Sequence, residues 1–270
     1  MRPAQSLSFI NPPTLVLGRG YVAQALLKAY PEHFSVTSRE GSTLGKGTCD
    51  QPKYFNLTDS ESWSVVDSFE RIVWTFPAAQ SATEIESSLK FFETKCMTKK
   101  KVLILASTSA YLVSDAGALV DESYPLDLRQ PRVHAEEELR DRGACILHLA
   151  GIYGPGRDPL NWLQRGLIKS PDSFINLVHS SDICQIVMSW LNSDGLSQRR
   201  FNASDGRHRT WFQMIEDLKS AGLLECSFEL SLESDSARSG SSKRVCNEVL
   251  KKELYSGPFH QYPEQGLGRD

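Results

Sequence analysis

The strongest constraint on the fold lies near the start of the chain. Thr14-Leu15-Val16-Leu17 is an apolar run without polar alternation, and Gly18-Arg19-Gly20-Tyr21-Val22-Ala23 follows it directly. Such a run fits a strand buried on both faces. Apolar residues then recur from Tyr21 to Tyr30 and Pro31 stops them, which predicts a helix. Strand, glycine loop and helix in that order are the setting in which Gly-x-Gly-x-x-Ala holds a dinucleotide. Gly18 permits the tight turn, Gly20 lets backbone approach a pyrophosphate, and Ala23 lets the helix pack closely on the strand. The helix start adds free N–H groups and the positive end of its dipole. The alternative is a plain strand-to-helix turn.

The same alternation continues downstream. Phe34–Thr37, Lys53–Phe55, Ile72–Phe76, Val102–Leu105 and Cys145–Leu149 read as strands. Ser60–Phe69, Ser81–Cys96 and Arg132–Arg142 read as helices, with Ser60 as a cap. Short apolar strands joined by helical crossovers predict an α/β doubly wound parallel sheet, covered on both faces. From about residue 205 the alternation is lost. The expected organisation is a nucleotide-binding domain over 14–204 and a small, mostly helical substrate lobe over 205–270, with 154–175 contributing to that lobe. Ser231–Ser242, SLESDSARSGSS, reads as a polar loop.

Composition narrows the partners. Thirty Lys and Arg against 33 Asp and Glu give a net charge of −3, which argues against nucleic acid as a partner. No apolar run approaches the ~20 residues of a membrane span. The six cysteines form no C-x-x-C pair, so neither a zinc site nor a disulfide framework is expected. Cys145 and Cys184 lie in apolar segments and read as core residues. The expected compartment is the cytoplasm. The acid-free first 13 residues, with Ser and one Arg, leave a plastid or other organelle interior as the alternative.

The end of the second strand reports on the cofactor. NAD sites carry Asp or Glu about 20 residues past the loop, bonded to the ribose 2′-OH. Here Thr37-Ser38-Arg39 stands at that place. Arg39 suits a 2′-phosphate and Ser38 adds a hydroxyl, so NADP is the expected preference. Glu40 carries the alternative: a strand ending one residue later favours NAD.

These segments resemble the extended short-chain dehydrogenase/reductase group, the NAD-dependent epimerase/dehydratase family, and within it an atypical branch. The glycine loop, Asn56-Leu57-Thr58-Asp59, Ser107-Thr108-Ser109-Ala110-Tyr111, Val120-Asp121-Glu122 and Ala135-Glu136 carry the likeness. Ala150-Gly151-Ile152-Tyr153-Gly154-Pro155-Gly156-Arg157 and His179-Ser180-Ser181-Asp182 extend it, and Ser241-Ser242-Lys243-Arg244-Val245-Cys246-Asn247 matches the atypical branch. The resemblance implies cofactor contacts from Gly18, Arg19, Gly20, Tyr21 and Val22 in the loop. It adds Asn56 and Leu57 near the adenine, then Thr75, Phe76 and Pro77, then Arg132, Gly151 and Tyr153. It also implies a small polar substrate or nucleotide sugar, and a homodimer.

The family's catalytic hydroxyl falls on Ser107, four residues before Tyr111. Such a hydroxyl hydrogen-bonds a substrate oxygen while hydride moves. The family also uses a Tyr with a Lys four residues later, in which the ammonium lowers the phenol pKa. Counting back from Ala135-Glu136 puts Leu128 and Arg132 at those two places. Tyr111 is then one substitute acid, and an aromatic packed under the loop is its other reading. Tyr124 is a weaker candidate acid. His179 and Asp182 read as structural support for the lobe. Two functions follow: an enzyme using Ser107 with Tyr111 or water, or a dinucleotide-binding regulator or scaffold without turnover.

Overall fold

The structure, a computed structural model, describes residues 14–40, 52–97, 100–168, 170–228 and 242–263. The first 13 residues, Cys49 and the Ser-rich stretch before Ser242 lie outside them. In chain order the first elements are β1 (Thr14–Leu17), α1 (Tyr21–Ala29), β2 (Phe34–Ser38) and β3 (Lys53–Tyr54). A 3₁₀ helix over Ser60–Val66, β4 (Arg71–Trp74), α2 (Ala82–Lys95) and β5 (Lys101–Ser107) follow. Then come β6 (Ala118–Val120), α3 (Pro131–Asp141), β7 (Cys145–Leu149), β8 (Gly151–Tyr153) and α4 (Pro159–Gln164). The chain continues with β9 (Phe174–Ile175), β10 (Leu177–His179), α5 (Ser180–Leu191), β11 (Arg200–Ala203) and β12 (Arg209–Thr210). Last are α6 (Trp211–Ser220), β13 (Lys243–Val245) and α7 (Glu248–Glu253).

Seven strands are hydrogen-bonded in the order β11-β7-β5-β4-β1-β2-β3. The register is parallel, with Thr14 opposite Phe34 on one side and Arg71 on the other. All four residues of β1 are buried, which is why its sequence shows no alternation. The fold is a Rossmann-like parallel sheet with helical crossovers. The expected Ser60–Phe69 helix is instead a 3₁₀ helix, and its cap is Asp59, whose side chain accepts from Glu61 N at 3.1 Å. An aspartate carboxylate one residue earlier already satisfies the first free N–H.

The chain forms two compact units that interleave in sequence. One runs up to Ala106 and takes in Arg129–Ile146 and Gly195–Arg199; the other takes Ser107–Leu128, Leu147–Asp194 and the described residues from Arg200 onward. The boundary expected at residue 204 is not a boundary of these units. In the first unit, Leu15, Leu17, Ile72 and Trp74 pack with Phe91 and Phe92 of α2. Phe91 meets Trp74, Trp63 and Phe55 edge-on at 5.6, 5.4 and 5.2 Å between ring centroids. Burying each of these rings contributes roughly 1.5–3 kcal/mol.

The second unit has its own core of Tyr153, Leu163, Met214, Leu218 and Tyr262, among others. Helix α5 is buried over most of its surface, including Asp182, Ile183, Val187 and Trp190. Its N-terminus is capped by His179, whose Nδ1 accepts from Ser181 N at 3.2 Å. That bond assigns the proton to Nε2, and burial pushes the His179 pKa down to about 4. The neutral ring serves as a helix cap, in keeping with the structural role read from the sequence. No helix of the described residues is long and apolar enough to cross a membrane.

Candidate nucleotide cleft

The loop between β1 and α1 opens a cleft of about 560 Å³ within the first unit. Gly18 has φ +102°, a conformation that favours glycine. A Cβ there would stand 2.8 Å from Thr75 Oγ1 and 3.2 Å from the Phe76 ring. The turn is held by Gly18 N donating to Thr37 Oγ1 at 2.9 Å and by Thr75 Oγ1 donating to Leu17 O at 2.8 Å. Gly20 differs: a Cβ there would meet nothing within 4 Å. It is the N-cap of α1, with no side-chain cap bond and no acidic residue in the first turn. The positive dipole end of α1 therefore borders open space, the arrangement a pyrophosphate needs. Ala23 is fully buried under the helix.

The cleft brings together Gly18, Arg19, Gly20, Ser38, Arg39, Asn56 and Leu57 with Thr75, Phe76 and Pro77, all named from the sequence. Thr37, Glu40, Phe55, Thr58, Gln80 and Glu84 also line it. Asn56 Oδ1 accepts from Thr58 N at 3.2 Å and Thr58 Oγ1 at 3.1 Å, an Asx turn that fixes the wall after β3. Of the remaining loop residues, Tyr21 is partly exposed and Val22 is buried.

The other expected site residues lie elsewhere. Arg132 Nη1 lies 3.3 Å from Glu136 Oε1, within α3. Glu136 is 1% exposed, and burial pushes its pKa up to about 7. Leu128 precedes α3 and is 54% exposed, so the place of the family's tyrosine holds an exposed aliphatic side chain outside the helix. Ser107 ends β5 and caps a 3₁₀ turn, accepting from Ser109 N at 3.2 Å, with its Oγ 3.0 Å from Ser109 Oγ.

Tyr111 is buried in the second unit. Its hydroxyl donates to Asn202 Oδ1 at 2.7 Å and lies 3.1 Å from His148 Nδ1. Burial raises its pKa above the ordinary phenol range. The phenol is tied to interior groups, and the packed-aromatic reading describes it. Tyr153 is 1% exposed, its ring edge-on to His179 at 4.9 Å and to Tyr262 at 5.5 Å. Gly151 is exposed, and a Cβ there would stand 3.0 Å from Asn176 O. Neither residue lines the cleft.

One arrangement went unseen in the sequence. His260 Nδ1 is 2.6 Å from Asp182 Oδ1, and His260 N donates to Asp182 Oδ2 at 2.9 Å. The His260 ring stacks on His179 at 4.4 Å. The partners are 78 residues apart, and no local pattern signals such a pair.

No family model matches the sequence. Protein YeeZ of Escherichia coli (strain K12) is 26% identical over 224 residues, 77% of each chain. A functionally unknown conserved protein from Silicibacter pomeroyi DSS has a TM-score of 0.68 at 22% identity, covering 95% of this chain and 96% of that one. The dTDP-glucose 4,6-dehydratase of Bacillus anthracis str. Ames, in complex with NAD, has a TM-score of 0.69 at 14% identity, covering 94% and 93%. MoeE5 in complex with UDP-glucuronic acid and NAD has a TM-score of 0.70 at 13% identity, covering 94% and 96%. At these identities the likeness establishes the fold: a Rossmann-fold protein structurally related to NAD-dependent epimerases and dehydratases.

These structures correct the expectation of NADP: MoeE5 and the dTDP-glucose 4,6-dehydratase are both in complex with NAD. The physical reason is visible at the strand end. β2 runs to Ser38, one residue past the expected Thr37. Ser38 Oγ then accepts from Glu40 N at 3.1 Å, and Glu40 lines the cleft beside Arg39.

Proposed function

We propose that the chain binds NAD in this cleft and is an epimerase/dehydratase-type oxidoreductase acting on a small polar metabolite or nucleotide sugar. The observation that carries the reading is the open space over Gly20 at the uncapped start of α1. Gly18 to Gly20 and the first turn of α1 would take the pyrophosphate, Glu40 the adenine-side ribose, and Asn56 and Leu57 the adenine. Bound NAD supplies a hydride acceptor, and its reduced form a donor. Ser107 hydrogen-bonds the reacting substrate oxygen, and water takes the proton role, since Tyr111 is committed to Asn202 and His148. Residues 205–270, with 154–175, serve as the substrate lobe.

A second reading is a dinucleotide-dependent regulator without turnover. Leu128 and the Arg132–Glu136 pair, at the places of the family's Tyr and Lys, favour it. Calorimetry with NAD tests what the two share. Gly20→Val should keep the fold and weaken NAD roughly tenfold or more, about 1.4 kcal/mol; unchanged affinity in a folded variant removes both. Incubation of the NAD complex with a panel of nucleotide sugars separates them. Conversion by wild type, with about a 10²-fold loss in Ser107→Ala, supports the enzyme. Binding of NAD without conversion of any sugar supports the regulator.

A further inference from the structure

We propose that Lys243 forms an anion-binding subsite in the second unit, taking a phosphate or carboxylate group of the ligand. Lys243 is 8% exposed. Its ammonium makes no hydrogen bond or ion pair among the described residues. The other polar residues described in the same segment all have structural tasks. Ser242 Oγ accepts from Phe174 N at 3.0 Å, Arg244 Nε donates to Gly117 O at 2.8 Å, and Asn247 Nδ2 donates to Ser204 O at 2.7 Å. Lys243 has none.

The strand holds this side chain in place. β13 pairs in parallel with β6, Lys243 opposite Ala118 and Val245 opposite Val120. Residues two apart share a face, so the lysine stem lies on the side that carries Val120 and its small apolar cluster with Tyr111 and Val113. Asn176 clamps the strand at both ends: its Nδ2 donates to Lys243 O at 2.9 Å and its Oδ1 accepts from Val245 N at 2.8 Å. Burial strips a lysine side chain of most of its hydration, a cost that a counter-ion offsets. Elsewhere in this unit the fold avoids that cost. Arg209, 5% exposed, meets Asp217 at 2.8 Å and also donates to Tyr262 O. At Lys243 burial pushes the pKa below the ordinary lysine value, and no carboxylate among the described residues pairs with it. A ligand anion supplies the missing charge. The inference rests on the preceding section only in taking that anion as part of the substrate.

The test uses the full chain and two probes, inorganic phosphate and acetate, titrated at constant ionic strength. The midpoint of thermal unfolding should rise with at least one of them in wild type, and the responding anion identifies the class. Lys243→Met should start from a higher midpoint without anion, because the unpaired charge is gone, and should show no response. In wild type alone, the responding anion should slow acylation of Lys243 at least about tenfold, read by peptide mass spectrometry, while exposed Lys28 is unaffected. A wild type flat to both probes overturns the proposal. So does a Met variant that responds as wild type does, or acylation of Lys243 unchanged by either anion. NAD affinity measured on the same samples keeps the two readings apart, since Lys243→Met should leave it unchanged.

Discussion

The cleft of the first unit is lined by Gly18, Arg19 and Gly20 and by side chains such as Ser38, Arg39 and Glu40, most of them exposed. In the second unit, carboxylates and rings are buried and joined across long stretches of chain: Asp182 with His260, Tyr262 with Asp158, Tyr111 with Asn202. Burial raises the Asp182 pKa and pushes that of Asp205 up to about 6. The first unit leaves the start of α1 at Gly20 facing open space. The second ties these polar groups to one another, and Lys243 contrasts with them in having no partner among the described residues. Among the described residues of the first unit Glu136 stands apart, a buried carboxylate paired with Arg132 four residues away.

The contrast can be broken most severely at Asp182. Asp182→Ala leaves the His260 backbone N–H and ring without their buried acceptor and should cost about 3–5 kcal/mol, read by urea unfolding. A loss under about 1 kcal/mol would mean that the paired interior contributes little.

Glu136 gives the next effect. Its folded pKa of about 7 lies above the ordinary 4.5. The folded state therefore holds the proton more tightly. The stability this contributes is fully present below pH 4.5 and is lost as pH rises through about 7. At about 1.4 kcal/mol per pH unit, that span amounts to roughly 3 kcal/mol. Glu136→Gln should remove this part of the pH dependence, so its stability relative to wild type should improve between pH 4 and 8. A parallel pair of curves would show that Glu136 ionises freely in the fold.

The smallest effect sharpens the comparison within the loop itself. Gly18→Ala places a Cβ against Thr75 Oγ1 at positive φ and should cost about 1–3 kcal/mol. Gly20→Ala meets open space and should leave the unfolding midpoint unchanged. Equal losses at the two glycines would mean that Gly20 is a packing position, not a ligand-facing one.

The sequence by itself determined the parallel α/β core and pointed to ten of the residues that line the cleft. Those signals are local. Burial on both faces makes β1 continuously apolar, and the glycines sit within a few residues of the strand and helix they join. The end of β2 is local too: it lies one residue beyond the expected Thr37, and both Arg39 and Glu40 line the cleft. The tertiary structure alone decided the rest. Tyr111 follows Ser107 closely in sequence, yet its place is set by His148 and Asn202, 37 and 91 residues away. Asp182 is tied to His260, and Lys243 is left without a partner among the described residues, by strands and loops whose meeting no periodicity encodes. A buried polar group is stable only where partners converge on it, and that convergence is a property of the folded chain.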